Sequence, residues 1–272
     1  MGSPGPSNEF SMSAADAAKR IVEGSGNSFH ARVARRLQNN DWFVLISPYY
    51  MDQAQSKARE IDLIAEKSVS IRDHFGKLMG NGVVRLCIEC KFIAATSVFW
   101  FTDKDTVSAQ ELVCRSGKSL RDSAYTNNHH YLSTCQSVAK IFQTESKSQE
   151  QEPIYKALNQ VLSAHVNMRK RPLADPSLRT SSGGIRFLLN YPVVVCSDFS
   201  RLYRTEFFED AEPVTISDNF QLEVQYAFAE STGSVKDEYF LIDFVAFELL
   251  DDFLEKVIHN AEVLASILKY RP

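Results

Sequence analysis

No stretch of this chain approaches the roughly 18 uninterrupted apolar residues of a membrane-spanning helix, and no basic-then-apolar leader opens it. The expectation is a soluble, cytoplasmic protein. Cysteine is scarce: five in 272 residues, Cys87, Cys90, Cys114, Cys135 and Cys196, an odd set without framework spacing. That usage argues against a disulfide scaffold and suits free thiols in a reducing compartment. A basic surplus is lacking too, with 30 Lys and Arg against 34 Asp and Glu and a net charge of -4. Bulk attraction to a polyanion is thereby excluded, so contact with nucleic acid has to come from local basic patches. Neither an internal repeat nor a coiled-coil heptad is present.

What is there suffices for a sizeable core, since 44% of the residues are hydrophobic and 24% charged. Residues 1–11, rich in Gly, Pro and Ser, precede a second methionine and read as a cloning remnant, which leaves 12–272 as one domain. Phe29, Val33 and Leu37 recur at helical spacing in SFHARVARRLQNN and predict a helix ending near Asn39. WFVLISPYY, REIDLIAEK and GVVRLCIECKF read as three strands. Gly76, Gly80 and Gly82 lie between the last two, as a hairpin-like connection requires. Beyond Phe101 the pattern dissolves, and irregular insertions are expected near 102–128, 143–152 and 171–184. HHYLSTCQSVAKIF and IYKALNQVLSAHV read as helices; IRFLLN, PVVVCS, QLEVQYAFA and EYFLIDFVAF as strands; the C-terminal segment as a helix. This order predicts an α/β fold with a mixed central sheet flanked by helices.

The chemistry lies in the strands. Residues two apart on a strand share a face, so Glu89 and Lys91 point one way while Ile88 and Cys90 point the other. The same rule puts Glu60 and Asp62 on one face of the preceding strand, from which an antiparallel pairing brings Asp62 toward Glu89. Two carboxylates and an ammonium then converge, a set that suits a hard divalent cation such as Mg²⁺ and the hydrolysis of a phosphodiester. Ordinary salt-bridged charges are the bland alternative for an Asp and a Glu-x-Lys. Against it stands the position of Glu89 on a strand apolar enough to be central, where an unpaired charge is costly.

The run from GNSFHARVARRL through YYMDQAQSKAREIDLIA to LCIECKF and VFWF resembles the PD-(D/E)xK superfamily of restriction-endonuclease-like nucleases, in particular prokaryotic members. The likeness covers about the first third of the chain, with a fainter echo in PVVV and FLIDFVAF. It implies a restriction-endonuclease-like core with Asp62 and Glu89 as metal ligands and Lys91 as the catalytic lysine. The main-chain carbonyl of Cys90 would complete a site for Mg²⁺ or Mn²⁺. It further implies cleavage of DNA, a role in prokaryotic defence or repair, and a homodimer where both strands are cut. Two positions depart from the family pattern: Ile61 stands where a proline is usual, and His30 where the first helix often carries a glutamate. His30 leaves two roles open, an auxiliary one at the metal and a structural one beside an apolar stripe.

Other signals carry less. Cys87 and Cys90 face opposite sides of a strand, which rules out a zinc knuckle, and His129 and His130 read as a surface pair. Gln136 and Gln160 fall on expected helices, where such nucleases sometimes use a glutamine to orient the lysine. Candidate phosphate contacts are Lys57 and Arg59 before Asp62, then Arg32, Arg35 and Arg36, then Arg169, Lys170 and Arg171. A catalytically silent module that grips DNA or a protein partner, and a hydrolase of another phosphate ester, remain as alternatives.

Overall fold

The computed structural model describes residues 13–24, 26–53, 55–116, 123–133, 136–145, 153–169, 171–179, 184–208, 210–230 and 233–269. Residues 1–12, Cys135 and Lys170, with the sequence expectations placed on them, lie outside this set. The chain opens with helices α1 (Ala14–Gly24) and α2 (Asn27–Asn39), then strands β1 (Phe43–Ile46), β2 (Tyr49–Asp52), β3 (Lys57–Glu60), β4 (Leu63–Arg72), β5 (Leu78–Lys91) and β6 (Ser97–Asp103). Helices α3 (Thr106–Ser116), α4 (Ser123–Asn128) and α5 (His130–Ser133) precede β7 (Ser137–Thr144), α6 (Pro153–Met168) and α7 (Pro176–Arg179). Strands β8 (Ile185–Cys196), β9 (Leu202–Glu206), β10 (Val214–Thr215), β11 (Phe220–Ala229) and β12 (Val235–Ala246) lead to α8 (Leu250–Leu268).

A ten-stranded mixed sheet runs in the order β1-β4-β5-β8-β12-β11-β7-β6-β9-β10, and β2 and β3 form a separate ribbon. Strand β5 is antiparallel to β4 and parallel to β8. It is therefore covered on both edges, and its apolar run is buried over most of its length. Helices α2, α3, α4, α5 and α8 pack one face of the sheet around Leu37, Leu86, Val195 and Val257. Helix α6 covers the other face with Tyr50 of the ribbon, around Ile64, Cys87, Val161 and Phe244. The expected α/β fold with a mixed sheet between helices is what forms. Among the described residues no helix is long and apolar enough to cross a membrane.

Several local expectations change. SVAKIFQT is strand β7, because it pairs antiparallel with β6 and parallel with β11; among the described residues of the expected helix, His130–Ser133 alone is helical. Its Val138, Ile141 and Phe142 match helical spacing as well as a strand, and partners in the sheet decide the outcome. The stretch after Phe101 contains helix α3, and residues 171–184 contain α7. IRFLLN and PVVVCS are one strand, β8.

Gly82 sits where a side chain has no room. A Cβ there would stand 1.8 Å from the ring tip of Phe187 on the neighbouring strand. Gly82→Ala is therefore expected to lower unfolding stability by about 1–3 kcal/mol. Adding Phe187→Leu recovers part of the loss, which urea melts of the single and double variants measure.

Candidate metal centre

The site is built at the carboxyl end of β5. Leu63 pairs with Ile88, and one step further along the sheet β4 gives way to a break that holds Asp62. The break has a local cause. Ser47 takes a left-handed backbone with φ of 51°, and its N–H donates to the Asp62 carbonyl at 2.8 Å. The Ile61 N–H donates to the Pro48 carbonyl at 3.2 Å. The chain pivots there between the β2/β3 ribbon and the main sheet. Asp62 and Glu60 therefore do not share a strand face, contrary to the alternation expected across REIDLIAEK. Tyr49, opposite Glu60 in the ribbon, instead directs its hydroxyl to the Glu60 carboxylate.

Alternation along β5 holds as expected. Cys87 belongs to the α6 side of the core and Cys90 to the α2 side, and Glu89 follows the parity of Cys87. The Glu89 side chain is 0% exposed, and its Oε2 accepts from Lys91 Nζ at 3.0 Å. Its Oε1 is buried with no hydrogen-bond partner. Burial pushes the Glu89 carboxyl up to about 8, the charge of Asp62 adds to the rise, and Lys91 pulls against it. A carboxylate this deep, with one bare oxygen and a second acid beside it, is the environment a cation relieves.

Asp62 faces the other way as well. Its Oδ2 accepts the Cys90 main-chain N–H at 2.8 Å and lies 3.2 Å from His30 Nε2 on α2. His30, Asp62 and Cys90 each offer a ligand atom within 4.8 Å of the others, a set of two half-buried residues and one buried thiol able to hold a metal ion. The Cys90 thiol is the ligand the sequence did not point to, since as a thiol it reads there only as half of a zinc pair with Cys87, a pair that strand alternation sets aside. The signal was present: a residue of opposite parity to Glu89 has to face the helix that carries His30. The set at Asp62 is thus a mixed one, imidazole and thiol with a carboxylate, which suits softer divalent ions, while the Asp62 charge is also felt at Glu89.

Comparison with protein-family models, curated proteins and solved structures finds no match for this chain.

The remaining candidates divide. Lys57 is exposed at the start of β3, opposite Asp52 at the turn end of the ribbon and away from the break after Glu60. Arg59 pairs with Asp52 at 2.7 Å and donates to Gln55 at 2.6 Å. Arg36 makes a forked contact with Asp251, with nitrogen–oxygen distances of 2.6 to 3.0 Å, and Arg32 lies 4.6 Å from the Phe247 ring centre. These two arginines tie α2 to the start of α8, so their stems serve packing even where their heads reach solvent. Arg35 is exposed. Arg169 pairs with Glu238 at 2.8 Å, and Arg171 donates to the Tyr49 carbonyl at 3.3 Å.

Gln160 is half-buried on α6 and takes the Tyr50 hydroxyl on its main-chain carbonyl at 3.4 Å. Among the described residues no hydrogen bond joins its side chain to Lys91 or Glu89. Gln136 is an exposed residue before β7 rather than a helical one. His129 and His130 are buried, not a surface pair. His129 Nε2 lies 3.3 Å from the Tyr191 hydroxyl, and His130 Nε2 lies 3.2 Å from Asp243. Long-range partners on β8, β12 and α8 draw them inward, and those cannot be read from the adjacent sequence.

Proposed function

We propose that this chain is a divalent-metal-dependent endonuclease of the restriction-endonuclease-like, PD-(D/E)xK type, hydrolysing DNA phosphodiester bonds in prokaryotic defence or repair. The observation that carries this reading is Glu89. It is a fully buried carboxylate with a bare oxygen, held beside Lys91 and sensing Asp62 at the end of a central strand. Asp62, Glu89 and the Cys90 carbonyl supply oxygen ligands, the donor set that suits Mg²⁺ or Mn²⁺. A bound ion of that kind polarises the phosphoryl group and acidifies a water. Lys91 positions the attacking water and offsets negative charge growing on the transferring phosphoryl group. Lys57, exposed at the turn end of the ribbon, is the proposed contact to a backbone phosphate, as a solvent-facing cation. DNA is the substrate, and a second copy of the chain is the partner for cutting both strands.

The test is cleavage of plasmid, single-stranded and branched DNA in Mg²⁺, Mn²⁺ or chelator. The wild-type protein is expected to cleave only with metal, and Lys91→Ala to lose about 100-fold or more of the rate. Intact substrate under every condition would falsify the enzymatic reading. Cys90→Ser separates these oxygen ligands from the mixed set, because it keeps the carbonyl and removes the thiol. Mg²⁺-dependent cleavage within about threefold of wild type is the expected result, and a loss as large as that of Lys91→Ala assigns the thiol as a ligand.

A second reading is a catalytically silent module that binds DNA or a protein partner. The His30–Asp62 contact favours it, since that contact engages an oxygen the metal would use. It predicts metal-independent binding that Lys91→Ala leaves intact.

A further inference from the structure

Strands β8 and β12 pair in parallel only over Val193–Cys196 against Asp243–Ala246. N-terminal to that patch, no ladder joins them among the described residues. Pro192, which has no N–H to donate, is the last residue of β8 before the pairing begins. The parted strands leave a cavity of about 460 Å³, within the size range of small-molecule sites. It passes between the sheet's two coverings: α6 contributes His165, and Arg169 follows directly after its end, while α3 and α8 contribute Leu112 and Leu264. Its lining includes none of the candidate metal-centre residues, which gather at the carboxyl end of β5.

The edge that β8 leaves open is partly answered by side chains. Arg115 donates to the Tyr239 carbonyl at 3.3 Å, and the Tyr131 hydroxyl to the Leu241 carbonyl at 3.1 Å. Other groups are left unanswered. His165 is 7% exposed, and its Nδ1 is buried without a hydrogen-bond partner. Burial, with the charges of Arg169 and Arg85 adding to it, drives the His165 pKa down to about 3. The imidazole is therefore neutral, with one donor and one acceptor nitrogen. Arg169 holds Glu238 through Nη1 at 2.8 Å, but its Nε and Nη2 are buried with no hydrogen-bond acceptor. Arg115 shares the same carboxylate at 3.3 Å, and Arg186 stands exposed at the cavity wall. Two guanidinium groups thus share one carboxylate, and a third lines the same cavity. Phe187, Tyr191 and Phe240 supply flat apolar walls.

Buried donors left bare at the rim of a cavity lack the partner that protein groups ordinarily provide. A charged acceptor satisfies guanidinium donors better than water does. We propose that the cleft between β8 and β12 is a binding site for a small anionic molecule with a flat, apolar body. Arg169 and Arg186 hold its anionic group, and its inner end hydrogen-bonds to His165. Neither the proposal nor its test depends on the nuclease reading, because the readout is binding rather than cleavage.

Anilinonaphthalene sulfonate, a fluorescent flat anion, is the first probe, titrated into the metal-free full chain. Adenosine monophosphate and 4-hydroxybenzoate then compete with it, so that displacement by one or the other assigns a phosphate or a carboxylate source. Saturable binding is expected, weakened about tenfold or more by Arg186→Gln, an exposed substitution that leaves the core intact. His165→Phe removes the inner polar contact and is expected to weaken binding at least as much. Circular dichroism and a urea melt establish that each variant is folded, and Arg186→Gln alone decides if His165→Phe unfolds. Absence of binding by all three probes overturns the proposal. So does probe fluorescence that neither folded variant reduces.

Discussion

Glu89→Gln is expected to make the metal-free protein more stable than wild type at pH 8 while abolishing metal-dependent cleavage. Glutamine matches the protonated acid in shape but has no charge to release. Burial and the Asp62 charge raise the Glu89 carboxyl from 4.5 to about 8 in the folded state. In the unfolded chain this group ionises near its ordinary value. The folded state therefore holds a proton that the unfolded state has lost anywhere between those limits, and wild-type stability falls with rising pH across that window. Relative to Glu89→Gln, the wild type is expected to have its full stability below about pH 4.5, to decline through the window, and to level off above pH 8. The span of the shift sets the size, about 5 kcal/mol as a ceiling. Urea melts of both proteins at pH 5 and pH 8, in chelator, measure it. Equal pH profiles for the two proteins contradict it. On the proposed reading a divalent metal would bind the ionised form and restore what deprotonation costs, so Mn²⁺ is expected to stabilise wild type more at pH 8 than at pH 6 and to leave Glu89→Gln unmoved. A site that is unstable when empty and active when filled is the behaviour expected of a functional carboxylate.

The second large effect concerns Arg85, which is buried one register step from the cavity and two turns of pleat from Glu89. Its Nε lies 2.6 Å from Glu66 Oε1, and its guanidinium also donates to the Met168 carbonyl at 2.9 Å and the Pro172 carbonyl at 3.0 Å. The other Glu66 oxygen takes the Asp175 N–H at 2.9 Å. This pair therefore ties β4 and β5 to the end of α6 and to the loop beyond it. Both side chains are within 1% of complete burial, so removing one charge strands the other in the core. Arg85→Met is expected to cost about 3–5 kcal/mol of unfolding stability, and Arg85→Met with Glu66→Leu to cost less than the single change. A single-variant loss below about 1 kcal/mol contradicts the coupling. Because α6 covers the Glu89 face, the loss is expected to reach cleavage as well as stability.

How far the sequence foretold this arrangement differs from residue to residue. The placement of Glu89 and Lys91 on one face, opposite Cys90, follows from the period of two in a strand buried on both edges, and the structure reproduces it. The stripe of Phe29, Val33 and Leu37 correctly identifies the buried face of α2. Asp62 was legible as a neighbour of Glu89 but not as the residue at a break, because the break depends on a left-handed Ser47 bonding across to it. Non-local partners also hid His129 and His130, whose burial is set by Tyr191, Asp243 and Asn260. Arg32 and Arg36 looked like a phosphate-binding face, yet Asp251 and Phe247, more than 200 residues later, engage them. The side of the strand taken by the Cys90 thiol was legible from its parity, but its meeting with His30 was not, since the packing of α2 against β5 brings the two together.

A crystal soaked in Mn²⁺ and measured at the manganese absorption edge locates the ion directly. An anomalous peak shared by the Asp62 and Glu89 carboxylates is the outcome this account requires. A peak held by His30 and the Cys90 thiol with Glu89 uninvolved, or no peak at all, contradicts it.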